Sequence, residues 1–150
     1  MSFSTFRGQL YTLINNNKDA LGVQEVYSTP RLNFKGYPAV TISPSDNEND
    51  YETNTENIRS YVFNIRCFYD TKNSGIDDGI DNLEETIDSL IDLIDQENEK
   101  KTGNIIGQGM PSRYTYLNIF AVPSGWFLTE DEAMIFNQMT VRIRVSVDVV

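Results

Sequence analysis

Residues 136–150, FNQMTVRIRVSVDVV, decide the fold class. Met139, Val141, Ile143, Val145, Val147 and Val149 occupy every second position, with Gln138, Thr140, Arg142, Arg144, Ser146 and Asp148 between them. Successive strand side chains point to opposite faces, so the stretch reads as a long antiparallel-type strand with one dry and one wet face. A dry face of that length needs a cover. Residues 76–99, IDDGIDNLEETIDSLIDLIDQENE, supply one. Ile76, Ile80, Leu83, Ile87, Leu90 and Ile94 recur at spacings of three and four, which places them on one stripe of a helix. The stripe is too short for a coiled-coil seam and predicts packing on the domain's own sheet. Ser74, with Asp77 three residues later, is the expected start signal, and Gly103 after Lys100 and Lys101 the expected stop.

Working outward, Phe3, Phe6, Leu10, Leu13 and Ile14 share one helical face, and the asparagines at 15–17 end that helix. Residues 21–28, with Val23, Val26 and Tyr27, read as a strand. Pro30, Gly36 and Pro38 punctuate a loop, and residues 39–43 form a short strand closed by Pro44. Residues 45–57 are polar, carrying five acids, no base and Tyr51 as their one large apolar side chain. They read as a solvated loop, or as a hairpin arm that orders against a neighbour. Residues 58–69 are a strand with Tyr61, Phe63, Ile65, Cys67 and Tyr69 on one face. The other face, with Ser60, Val62, Asn64, Arg66 and Phe68, is mixed and could meet solvent, a helix or another subunit. Residues 70–75 read as a turn. Residues 113–122 form a further strand, broken by the segment from Pro123 to Trp126. The expectation is one α+β domain over 1–150, with a largely antiparallel or mixed sheet. An N-terminal helix and one long amphipathic helix pack on it, and 45–57 is a polar loop or hairpin insertion.

Composition narrows the function. The chain has 150 residues, 39% of them hydrophobic, enough for one real core and too apolar for disorder. It has no histidine, which removes imidazole triads and His-based metal sites. Its one cysteine, Cys67, can form neither an internal disulfide nor a Cys-based zinc site, and its place on a strand's dry face reads as an inert core thiol. The N-terminus has no apolar secretory core, and no apolar run approaches the roughly 18 residues of a membrane span. A soluble product made in a cytoplasm is expected. Residues 70–81 fail the calcium-loop pattern because Lys72 stands at the third ligand position and Asp81 replaces the bidentate Glu. Gly107-Gln108-Gly109 lacks the third glycine and the lysine of nucleotide loops, and reads as a turn. Carboxylates are abundant, but none is singled out as a catalytic pair. Trp126 and Phe127 make an aromatic turn, either a core anchor or a partner-binding patch.

The charge is −10, from twelve Lys plus Arg against twenty-two Asp plus Glu, and it is not spread evenly. Asp77, Asp78, Asp81, Glu84, Glu85, Asp88, Asp92, Asp95, Glu97 and Glu99 all lie on the long helix with no base among them, and the remaining residues sum to zero. Five like-charge pairs at i,i+4 cost on the order of 1–2 kcal/mol at low salt. A solvated face would ordinarily interleave cations; the run reads either as a face that is acidic by chance or for solubility, or as a channel wall or basic-partner surface that favours the single sign. Arg142 and Arg144, two apart, point to one face of the last strand. They are either an exposed sheet face or a patch for acids of a neighbouring copy, a pairing that closes head-to-tail into a ring.

In order and texture the chain resembles the tail-terminator (minor tail, tail-completion) proteins of long-tailed bacteriophages. The likeness rests on the N-terminal helix with Phe3, Phe6 and Leu10, and on 37–42, YPAVTI, before the acidic loop. It continues through 59–65, RSYVFNI, the amphipathic helix, and the closing 139–145, MTVRIRV. The resemblance implies an α+β subunit of a hexameric ring that caps the tail tube, stops its polymerisation and joins it to the head connector. It implies no enzymatic activity and no cofactor. Implied partners are further copies of the chain, the tail-tube protein and a head-completion or connector protein, with DNA passing through the lumen without specific binding and no membrane. The implied location is the virion at the head–tail junction, and host cytoplasm during assembly. Tyr51, Trp126, Arg142, Arg144 and the helix acids become interface or lumen candidates. The alternatives are an acidic DNA mimic that inhibits a host DNA-binding enzyme, and a related neck or head-completion subunit.

Overall fold

The computed structural model describes residues 3–31, 33–44, 56–100, 103–129 and 133–148. Most of the 45–57 insertion, Tyr51 included, and Val149 lie outside the described residues. The elements in chain order are α1 (Phe3–Asn16), α2 (Lys18–Leu21), β1 (Glu25–Tyr27), β2 (Ala39–Pro44), β3 (Glu56–Asp70), α3 (Thr71–Ser74), α4 (Ile76–Glu99), β4 (Tyr114–Leu128) and β5 (Met134–Asp148). The fold is α+β. One five-stranded sheet runs β1-β2-β3-β5-β4, parallel at β1–β2 and antiparallel elsewhere, so it is mixed.

The β3–β5 pair is the spine. It stays in register over all fifteen residues, from Glu56 opposite Asp148 to Asp70 opposite Met134. The alternation of β5 is the cause: Met139, Val141, Ile143, Val145 and Val147 are buried on the face where Tyr61, Phe63, Ile65 and Cys67 of β3 are also buried. A slip of one residue would turn the whole set to the other side. The two long helices cover this face. Phe6, Leu10, Leu13 and Ile14 of α1 join the core, with the Phe6 ring 4.7 Å from that of Tyr61. Leu83, Ile87, Leu90 and Ile94 of α4 do the same. At about 1.5–3 kcal/mol per buried side chain, that α4 stripe contributes on the order of 6–12 kcal/mol before entropy, well above its like-charge repulsion. Packing therefore wins over charge, and the helix forms despite its acids.

Several boundaries differ from expectation. Residues 21–28 are not one strand: α2 ends at Leu21, Gly22 takes a left-handed φ of 73°, and only Glu25–Tyr27 pair with β2. The 70–75 turn contains the short helix α3, capped by Asp70, whose carboxylate accepts the Lys72 N–H at 2.9 Å. The cap of α4 is then Gly75, at a φ of 83° that favours glycine, rather than Ser74. At the other end α4 stops at Glu99, the expected bound, but its cap is Lys100 rather than the stop signal Gly103. The segment Pro123–Trp126 does not break its strand. β4 bulges there and continues, because the buried Asn137 side chain donates to the Ser124 and Gly125 carbonyls at 2.9 and 3.4 Å, and the Ser124 hydroxyl donates to the Gln138 carbonyl at 2.7 Å. Pro123 is tolerated because β4 is an edge strand.

Candidate functional site

The first candidate surface is α4. It lies close to the sheet: a β-carbon on Gly79 would sit 2.8 Å from Cγ2 of Ile135. With the apolar stripe from Ile80 to Ile94 turned inward, and Ile76 of the first turn left 49% exposed, Asp77, Asp78, Asp81, Glu84, Glu85, Asp88, Asp92 and Asp95 are all exposed, as is Glu99. The sequence-predicted acids thus form one continuous surface. Asp77 and Asp78 in the first turn are favoured by the helix dipole, whereas Asp95 and Glu99 in the last turns are not.

Glu97 departs from that expectation. It belongs to the same acidic run, yet it is 1% exposed. Its Oε1 accepts the N–H groups of Ile105 and Ile106, the latter at 3.0 Å, and its Oε2 lies 3.3 Å from Nζ of Lys100. The Glu97 carbonyl accepts from the Asn104 side chain at 3.0 Å. One acid therefore fastens the segment after α4, placing Ile106 in the core. Burial, and then the negative Glu97 nearby, push the Tyr116 hydroxyl up to about 12.

The second candidate surface is the sheet face opposite the helices. Across β3, β5 and β4 its rows read Ser60–Arg144–Asn118, Val62–Arg142–Phe120 and Asn64–Thr140–Val122. Arg142 and Arg144 stand side by side in the middle strand, as their spacing predicts, but they are half-buried and already engaged rather than freely solvated. The expected wet face of β5 is half-buried along most of its length, and Ser60, Val62 and Phe68 of the mixed β3 face are buried. Toward one end an aromatic row crosses the sheet: Tyr27, Phe34, Phe68, Phe136 and Phe127 follow one another at centroid distances of 5.8, 4.9, 5.0 and 5.3 Å. Phe120, Val122 and Phe127 are 46%, 62% and 47% exposed on the outer strand. Trp126 is half-buried and packs on the core, so the exposed aromatic of that turn is Phe127.

Sequence reasoning missed a cleft on this same face. Pro30 and Arg31, from the loop after β1, close over Thr41, Ser43, Arg66 and Phe68 to leave a cavity of about 420 Å³. No sequence signal places Arg31 there, although the position of Arg66 on the mixed β3 face was visible.

The remaining motifs are structural. Cys67 is fully buried, and burial pushes its thiol up to about 12. Gly107 and Gly109 form a turn at φ of 89° and 68°, tied to α1 because the Gly107 N–H donates to the Gln9 side chain at 2.9 Å. Among the described residues, no three potential ligands gather into a metal site, and no helix is long and apolar enough to cross a membrane.

Comparison of the sequence with protein-family models and with curated proteins gives no match. The fold has a counterpart in a virion. A chain of the solved structure described as the virion of a native gene transfer agent (GTA) particle aligns with 93% of this chain and 93% of its own length. The TM-score is 0.65 and the identity 14%. At that identity the likeness establishes the fold.

Proposed function

We propose that the chain is a structural, non-catalytic component of a phage-type virion, and within it a tail terminator: a subunit of a hexameric ring that caps the tail tube, stops its polymerisation and joins it to the head connector. The observation that carries this reading is the end-to-end fold likeness to a chain of a gene transfer agent virion. The distribution of charge supports it. A subunit with an exposed acidic helix on one side of its sheet and arginines on the other has complementary front and back surfaces, which is what a heterologous, ring-closing contact requires. Arg142 and Arg144, with the exposed Phe120, Val122 and Phe127 beside them, form the sheet-side contact. Trp126 stiffens that edge, and Tyr51 is a further contact candidate toward a neighbouring subunit. The acids of α4 that remain outside the contact line the lumen, where repulsion from phosphates keeps passing DNA mobile. The protein acts in the virion at the head–tail junction, after assembly in host cytoplasm.

Light scattering across a concentration series, with and without tail-tube protein, tests the reading. A species of several copies, seen as rings by negative stain, is expected. A chain that stays monomeric at the highest concentration with tube protein present sinks it. A neck or head-completion subunit would also form rings but would leave tube length unregulated in a polymerisation assay.

A further inference from the structure

The cleft under the loop after β1 brings two arginines together over a concave part of the helix-free face. Arg31 and Arg66 both reach it, above the hydroxyl-bearing Thr41 and Ser43, with Phe68 as an apolar wall. Each guanidinium is held by a ring: Cζ of Arg31 lies 4.3 Å from the Tyr27 centroid and Cζ of Arg66 lies 5.4 Å from that of Phe136. Nε of Arg66 also donates to the Gln138 side chain at 2.9 Å, which leaves its two terminal nitrogens for another acceptor. Among the described residues no carboxylate pairs with either arginine. Guanidinium groups stacked on aromatic rings are pre-organised, and their planar fork suits carboxylate oxygens.

We propose that this cleft binds carboxylates, and that its occupant is the acidic face of α4 from a second copy of the chain, at Glu84 and Asp88. The inference deepens the ring reading and rests on it. Charge complementarity within the subunit supports it: among the described residues no carboxylate pairs with Arg31 or Arg66, and no base pairs with Glu84 or Asp88. Glu84 and Asp88 are exposed, sit mid-helix, and are one turn apart, so both project from one patch and repel each other until a cation arrives. Seating them between two guanidiniums replaces that repulsion with charge-assisted hydrogen bonds. Because cleft and helix lie on opposite faces of the sheet, the contact is head-to-tail and each copy uses both surfaces.

The test uses two variants of the full chain. Arg31→Ala with Arg66→Gln disables the cleft, and Glu84→Lys with Asp88→Lys disables the helix patch. Urea unfolding confirms that each is folded, and Arg31→Ala alone, at an exposed loop position, serves if the Arg66 change weakens the fold. Light scattering at low salt is expected to show each variant losing the multi-copy species of the wild type. Mixed in equal amounts, the two are expected to give a two-chain species and no ring, because one intact contact survives between the cleft of the second variant and the helix of the first. A cleft variant or a helix variant that assembles like the wild type overturns the proposal and leaves the ring reading standing, as does a mixture that stays monomeric. A wild type that never assembles, even with tube protein, overturns both.

Discussion

Replacing Glu97 with alanine removes the carboxylate that holds residues 105–106 against the end of α4. The Ile105 and Ile106 N–H groups lose a charged acceptor, a bond worth about 1.5–3 kcal/mol each. Ile106 is 1% exposed, so water cannot replace the acceptor there without opening the core; Ile105 is half-buried and recovers part of its loss. The Lys100 ion pair adds little, because that side chain is 47% exposed and the pair is screened. The expected loss is about 3–5 kcal/mol, a large share of the roughly 5–15 kcal/mol that holds a domain together. Glu97→Gln keeps an oxygen for both N–H groups and sacrifices only the charge, so about 1 kcal/mol is expected. Asp95→Ala, two residues away but exposed, relieves the repulsion with Glu99 and is expected to be neutral or stabilising by a few tenths of a kcal/mol. Urea unfolding followed by far-UV circular dichroism, with midpoint and slope both fitted, reads all three. An alanine variant within 1 kcal/mol of wild type, or a glutamine variant as damaged as the alanine one, refutes the assignment of Glu97 as the fastening acid.

Three further outcomes follow from the same geometry. Asp88→Lys turns the repulsive pairs with Glu84 and Asp92 into attractive ones, so stability at low salt should rise by about 1 kcal/mol and the gain should fade in 1 M salt. Tyr114 is lowered to about 8, chiefly by the hydrogen bond its hydroxyl accepts from Arg113. Titration monitored by tyrosinate absorbance should therefore show one early tyrosine midpoint near 8, which Arg113→Ala returns toward the ordinary value of about 10. Cys67, with its thiol pushed up to about 12 and no exposed surface, should react with a thiol reagent only as fast as the protein unfolds. Prompt labelling of the folded protein would show that β3 opens locally.

How much of this was readable depends on the length of each pattern. The bounds of α4 and the dry face of β5 were legible because each repeats its period many times, and the tertiary context agrees with it. The three residues of β1 were not, because so short a strand exists through its partner β2 and not through its own composition. The continuation of β4 past Pro123 depends on Asn137 reaching across from β5, which no local signal announces. The candidate surfaces divide the same way. The exposed acids of α4 follow from helical spacing alone. Glu97 falls three residues after Ile94 and continues the apolar stripe, so spacing turns it inward; its partners, the N–H groups of the returning chain at 105–106, have no local signal. Arg66 shows its face by alternation, but its meeting with Arg31 is made by a loop whose course is set by tertiary packing.

The long helix carries a last consequence. Its 24 residues, at about 1.5 Å each, span roughly 36 Å, and nine exposed acids along that length place a charge about every 4 Å. Along one strand of DNA the phosphates fall about every 3.4 Å. The helix thus has nearly the linear charge density of a nucleic acid strand, and it gathers a counterion atmosphere of its own. Any basic surface that docks on it sets some of those ions free, so the strength of that contact is governed by the surrounding salt as well as by the residues that touch.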